Sequence, residues 1–82
     1  MIRVVFLAQL REQLKTAELQ IPAGHIDSIA SLKQYLVMEN PGWEKFLSNG
    51  KLLVAVNHGY AKGDAAIKSG DEVAFFPPVT GG

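Results

Sequence analysis

The 82-residue chain contains no cysteine. That removes disulfides, iron–sulfur ligation and thiol catalysis together. His25 and His58 are the only imidazoles, and a helix-like and a strand-like stretch separate them, which is too little to found a metal site. Charge of one sign is also lacking: eight basic and eight acidic residues cancel. The basic residues Arg3, Arg11, Lys15, Lys33, Lys45, Lys51, Lys62 and Lys68 are scattered. No phosphate-tracking stripe or polybasic membrane patch forms, so neither nucleic acid nor a membrane is an expected partner. No apolar run approaches a membrane span, and the opening Met1-Ile2-Arg3-Val4-Val5-Phe6-Leu7 has no signal-peptide character. The cytoplasm is the expected location.

Catalytic motifs are missing too. The glycines are scattered at turns and make no phosphate-binding loop or dinucleotide pattern. Ser28, Ser31, Ser48 and Ser69 sit in no nucleophile elbow. Asp64, Asp71 and Glu72 fall in loop or turn segments, where capping or solubility accounts for them better than acid–base work. The chain is expected not to be an enzyme on its own.

Its length suits one small domain, and 48% hydrophobic residues suffice for a core. Residues 2–8 alternate Ile2, Val4 and Phe6 against Arg3, Val5 and Leu7, as a strand does. Because both sets are largely apolar, this strand is expected in the sheet centre. Residues 9–15 place Leu10 and Leu14 at helical spacing, as a short helix or turn. A second strand over 17–21 stops at Pro22-Ala23-Gly24. The main helix follows, capped by Asp27 or Ser28, with Ile29, Leu32, Leu36 and Val37 on one face. Asn40-Pro41-Gly42 ends it. Trp43, Phe46 and Leu47 mark a short amphipathic turn. Residues 52–56 form a strand that turns at Asn57-His58-Gly59 into a short partner at Tyr60-Ala61. A loop over 62–68 is anchored by Ile67, residues 69–72 turn, and 73–76 make the last strand. The order β-β-α-β-β predicts an α+β fold, the ubiquitin-like β-grasp, in which a mixed sheet grips one helix with its first and last strands side by side. Residues 1–76 form that domain, and 77–82 extend from it as a tail within the same single domain.

The close, Phe76-Pro77-Pro78-Val79-Thr80-Gly81-Gly82, is the most informative stretch. Terminal glycines bury nothing and lose much entropy when ordered, so a frayed end is the plain alternative. The prolines argue for use. Pro77 and Pro78 cannot donate backbone hydrogen bonds, so they stop the strand and favour an extended, polyproline-like stem. Six residues from Pro77 reach roughly 20 Å. A side-chain-free tip can enter a channel that any Cβ would block. Its one reactive group, the α-carboxylate of Gly82, is ionised at neutral pH and a poor electrophile, so another enzyme must activate it.

Three segments carry a family resemblance. They are Phe6 through Glu12, Asn49-Gly50-Lys51-Leu52-Leu53-Val54-Ala55-Val56-Asn57, and Gly70-Asp71-Glu72-Val73-Ala74-Phe75-Phe76-Pro77-Pro78-Val79-Thr80-Gly81-Gly82. Through them the chain resembles the small, sulfur-carrying subunits of molybdopterin synthase, in the MoaD/ThiS family of ubiquitin-like sulfur carriers. The resemblance is weakest from Lys15 to Phe46. It implies that an E1-like enzyme uses ATP to adenylate Gly82. A sulfur donor, such as a cysteine desulfurase or rhodanese-type protein, then makes the thiocarboxylate. It further implies that Pro77, Pro78, Val79, Thr80 and Gly81 thread the large synthase subunit. There sulfur passes to a cyclic pyranopterin precursor to build the dithiolene of the molybdenum cofactor. Two small subunits would flank two large ones. No stably bound cofactor is implied, and the pterin pocket belongs to the partner. The related alternatives are a thiazole-pathway carrier and a ubiquitin-like modifier; a non-covalent binding module is the alternative of another class.

Strand alternation also suggests where such a partner docks. With Ile2, Val4 and Phe6 facing the helix, Val5 and Leu7 face outward. Val73 and Phe75 then face inward, and Ala74 and Phe76 outward. Leu7 and Phe76, with Tyr60 as a third member, are the expected docking face beside the tail root.

Overall fold

Strand alternation at both ends of the chain builds the centre of the sheet. In the computed structural model, which describes residues 1–61 and 64–78, β1 (Ile2–Phe6) lies parallel to β5 (Glu72–Phe76). Arg3 stands opposite Glu72, and Phe6 opposite Phe75. β2 (Glu18–Ile21) pairs antiparallel with β1. β3 (Leu53–Val56) pairs antiparallel with β5 and with β4 (Gly59–Ala61). The order is β2-β1-β5-β3-β4, so the first and last strands are neighbours and β5 is the middle strand. The α+β grasp expected from the sequence is the fold observed.

One sheet face is covered by α2 (Ile29–Glu39). Ile29, Leu32 and Leu36, spaced by three and four, are buried against Ile2, Val4, Phe6, Val73 and Phe75. Each such side chain, fully covered, contributes about 1.5–3 kcal/mol. Of the two caps expected, Ser28 is the one used. The Ser31 amide donates to Ser28 Oγ at 3.2 Å, and the Ser28 amide donates back to Ser31 Oγ at 3.1 Å. A third helix-start amide, that of Ala30, is satisfied from afar by Asp64 Oδ1 at 2.8 Å, so Asp64 acts as a cap. Pro41 opens a 3₁₀ turn, Pro41–Trp43, which leads into the short α3 (Glu44–Leu47). The Trp43 ring meets Phe6 edge-on at 5.4 Å, and Phe6 stacks on Phe75 at 6.1 Å.

Residues 9–15, open between helix and turn in the sequence, form α1 (Ala8–Leu14), which buries Leu10 and Leu14. Lys15 closes it in the left-handed conformation at φ 54°. Ala8 enters it at φ 55°. Ile67 is buried, as an anchor should be, whereas residues 62 and 63 of the same expected loop lie outside the described residues.

One expectation needs correction. Glu72 is not a turn residue: it begins β5. Of the two roles expected for Asp71, capping is the one it fills, since it is only 5% exposed and holds a turn amide. Its carboxylate accepts from Asn57 Nδ2 at 3.0 Å and from the Lys68 amide at 2.9 Å. Asn57 Oδ1 in turn accepts from the Glu72 amide at 2.9 Å. The β3–β4 turn is thereby tied to the start of β5. Asn57 and His58 both have positive φ, 51° and 72°, the two-residue turn that suits hairpin twist.

Candidate partner-docking face and tail root

The sheet face turned away from α2 is organised in rows. Val5, Ala74 and Ala55 lie opposite one another across β1, β5 and β3, with Tyr60 opposite Ala55 on β4. One step nearer the tail, Phe76 stands opposite Leu53. The Leu7 amide donates to the Phe75 carbonyl at 3.0 Å, which continues the β1–β5 ladder and sets Leu7 beside Phe76. Tyr60 is 76% exposed and Leu7 42%, while Leu53, Phe76 and the three small residues are half-buried. Tyr60 and Phe76 pack with ring centroids 5.9 Å apart.

The sequence therefore named three members of one apolar surface, Leu7, Tyr60 and Phe76, and the fold brings them together. It missed Leu53. The signal lay in Leu53-Val54-Ala55-Val56, where both alternating sets are apolar and only the partner strands reveal which one faces out. At the tail root Pro77 is half-buried and Pro78 exposed. Val79, Thr80, Gly81 and Gly82 lie outside the described residues.

Beyond the small-residue row the same face becomes charged. Arg3 Nε donates to Glu18 Oε2 at 2.7 Å, and its other arm reaches Glu72 Oε1 at 3.1 Å. His58 Nε2 lies 3.4 Å from Glu72 Oε2. The hydrogen bond that Arg3 donates to Glu18, then the charges of Glu18 and Glu72, hold the Arg3 pKa above its ordinary value. Asp71 moves the opposite way: the Asn57 side chain, then the Lys68 amide, hold its carboxyl below the usual range.

Among the described residues no three His, Asp or Glu side chains gather to hold a metal ion. No helix there is long and apolar enough to cross a membrane. A shallow hollow of about 480 Å³ lies on the helix side, among Lys33, Val37, Met38 and Leu47, away from the tail root. The site is an apolar platform that ends at the tail root, where Pro78 is exposed.

Residues 4–82 match the ThiS family. The chain belongs to the ThiS family. Among its relatives is the molybdopterin synthase sulfur carrier subunit of Escherichia coli K12, 43% identical over the full length of both chains. Solved structures share the fold of this ThiS-family chain. The small archaeal modifier protein 1 of Methanosarcina acetivorans superposes with a TM-score of 0.77 at 22% identity, covering 99% of this chain and 95% of that one. The complex of subunits 1 and 2 of the molybdopterin-converting factor of Helicobacter pylori matches with a TM-score of 0.67 at 23% identity, covering 99% and 97%. At such identities these two likenesses concern the fold alone.

Proposed function

We propose that this ThiS-family chain is the sulfur carrier of molybdopterin synthase and works through Gly82. The observation that carries the reading is the full-length 43% identity to a molybdopterin synthase sulfur carrier subunit. The geometry supports it. β5 delivers the chain from the middle of the sheet to an exposed apolar platform, and Pro77 and Pro78 carry it onward as an extended stem.

The carboxylate of Gly82 attacks the α-phosphorus of ATP on an E1-like enzyme, forming an acyl adenylate and releasing pyrophosphate. The outer sulfur of a persulfide on a sulfur donor, such as a cysteine desulfurase or rhodanese-type protein, then displaces AMP to give an acyl disulfide. A thiol reductant cleaves its S–S bond, leaving the thiocarboxylate on Gly82 and a thiol on the donor. The large synthase subunit covers Leu7, Leu53, Tyr60 and Phe76. The stem of Pro77, Pro78, Val79, Thr80 and Gly81 passes into its active site, and sulfur passes to the cyclic pyranopterin precursor. Two transfers complete the dithiolene, in a heterotetramer of two small and two large subunits. The carrier supplies no acid, base or bound cofactor of its own: ATP belongs to the activating enzyme and the pterin pocket to the large subunit. The steps run in the cytoplasm.

Intact mass after incubation with ATP, the activating enzyme and a sulfur source tests this. The expected gain is that of one sulfur replacing one oxygen, confined to the C-terminal peptide. An unchanged mass, or sulfur found elsewhere in the chain, would overturn it.

A further inference from the structure

The outer sheet face is divided. Toward the tail root it is apolar; one row farther on it carries Arg3 of β1, Glu72 of β5 and His58 of the β3–β4 turn, and Glu18 of β2, which stands opposite Val5, reaches across to Arg3 and joins them. Glu72 has the most covered side chain of the four, 25% exposed against about half for Arg3 and Glu18. Two carboxylates share one guanidinium. With the imidazole neutral, the row carries one negative charge in excess. Asp71 and Lys68, which pair at 3.3 Å at the foot of β5, add no net charge to it.

In the free chain water screens that excess. A partner lying on Val5, Ala55 and Ala74 brings a low-dielectric wall up to Glu72, and dehydrating an uncompensated carboxylate is strongly unfavourable. Covering the platform therefore demands a positive charge at its far end. We propose that the synthase large subunit brings a lysine or arginine side chain to Glu72 and Glu18, so that the charged row orients the carrier while the apolar rows hold it. The inference rests on the large subunit being the partner, as read above. It deepens that reading by naming what fixes direction. An apolar contact tolerates rotation, whereas a charge at one end of β5 and the tail at the other do not. Glu72 and Phe76 lie four residues apart on one strand, about 13 Å, which gives the docked carrier two points of reference along the line on which the tail leaves.

The test is a titration of the full-length chain with the purified large subunit, plus association rates, at two salt concentrations and from pH 6 to 8. Glu72→Gln and Glu18→Gln should each lower affinity by about 5–10-fold, chiefly through slower association, and flatten the salt dependence. Arg3→Gln raises the excess to two negative charges and should act in the opposite direction, with faster association and steeper salt dependence. A merely structural role for the row predicts the same sign for all three, with circular dichroism showing the damage. Unchanged affinity and salt dependence in both carboxylate variants would overturn the inference, as would Arg3→Gln losing affinity alongside them. So would a His58→Gln variant that loses affinity and salt dependence alongside the carboxylate variants, because the chain's own imidazole would then supply the charge. A wild-type chain that does not bind the large subunit at all would sink the functional reading itself. Binding abolished by Phe76→Asp but indifferent to the charge variants would sink this inference alone.

Discussion

The rings of Tyr60 and Phe76 lie 5.9 Å apart and tilted by 56°, joining the edge strand β4 to the middle strand β5 over the top of β3. The pair stands on the sheet face that α2 does not cover, next to the point where the chain leaves the fold. Removing it should therefore separate binding from folding. Phe76→Asp is expected to weaken the complex with the large subunit strongly, since covering a large apolar side chain contributes roughly 1.5–3 kcal/mol and a carboxylate there would also need dehydrating. A binding titration with circular dichroism on the same sample checks this. Unchanged affinity removes Phe76 from the interface, and global unfolding returns it to the core.

The tail makes a narrower prediction. Gly81→Ala adds one Cβ beside the reacting end, so it should slow sulfur transfer while leaving the fold and its melting temperature unchanged. Single-turnover product formation from the thiocarboxylate form measures it. Wild-type rates would show that the receiving channel is wide.

Asp71 gives the fold a pH dependence of defined sign. Its folded pKa is held low by Asn57 and by the Lys68 amide. Its contribution is therefore present above the unfolded value, about 3.9, and is lost as pH falls through the folded value. Asp71→Asn should melt below wild type at neutral pH, and the gap should close toward pH 3. Melting temperatures across that range decide it. A gap of constant size would mean that the carboxylate charge is immaterial.

Ala8 enters α1 at φ 55°, where a side chain is disfavoured by about 1–2 kcal/mol. Ala8→Gly should therefore be neutral or stabilise by up to about 1 kcal/mol, after the added flexibility of the unfolded chain is counted. At an ordinary helix position the same change costs about 1 kcal/mol. Chemical denaturation of the pair measures the difference, and a loss of that size would contradict the backbone geometry at this junction.

The sequence was most legible where periodicity and chemistry agree. Ile2, Val4 and Phe6 alternate against an opposite set, Leu32 and Leu36 recur at helical spacing, and Pro77-Pro78 cannot extend a ladder. These patterns act over a few residues, and they sufficed for the elements, the buried face of β1 and the end of β5 at Phe76. For Asp71 the sequence left capping and solubility open, because its burial depends on Asn57, fourteen residues away on the neighbouring strand's turn. Leu53 was missed because a strand apolar on both faces does not declare its outer one. The cluster of Arg3, Glu18, Glu72 and His58 exists only because the tertiary fold lays β2, β1, β5 and the β3–β4 turn side by side. Local steric and hydrophobic preferences are written in the order of residues. Long-range juxtaposition follows from which strands pair and in what register, and that was decided by the fold closing around α2.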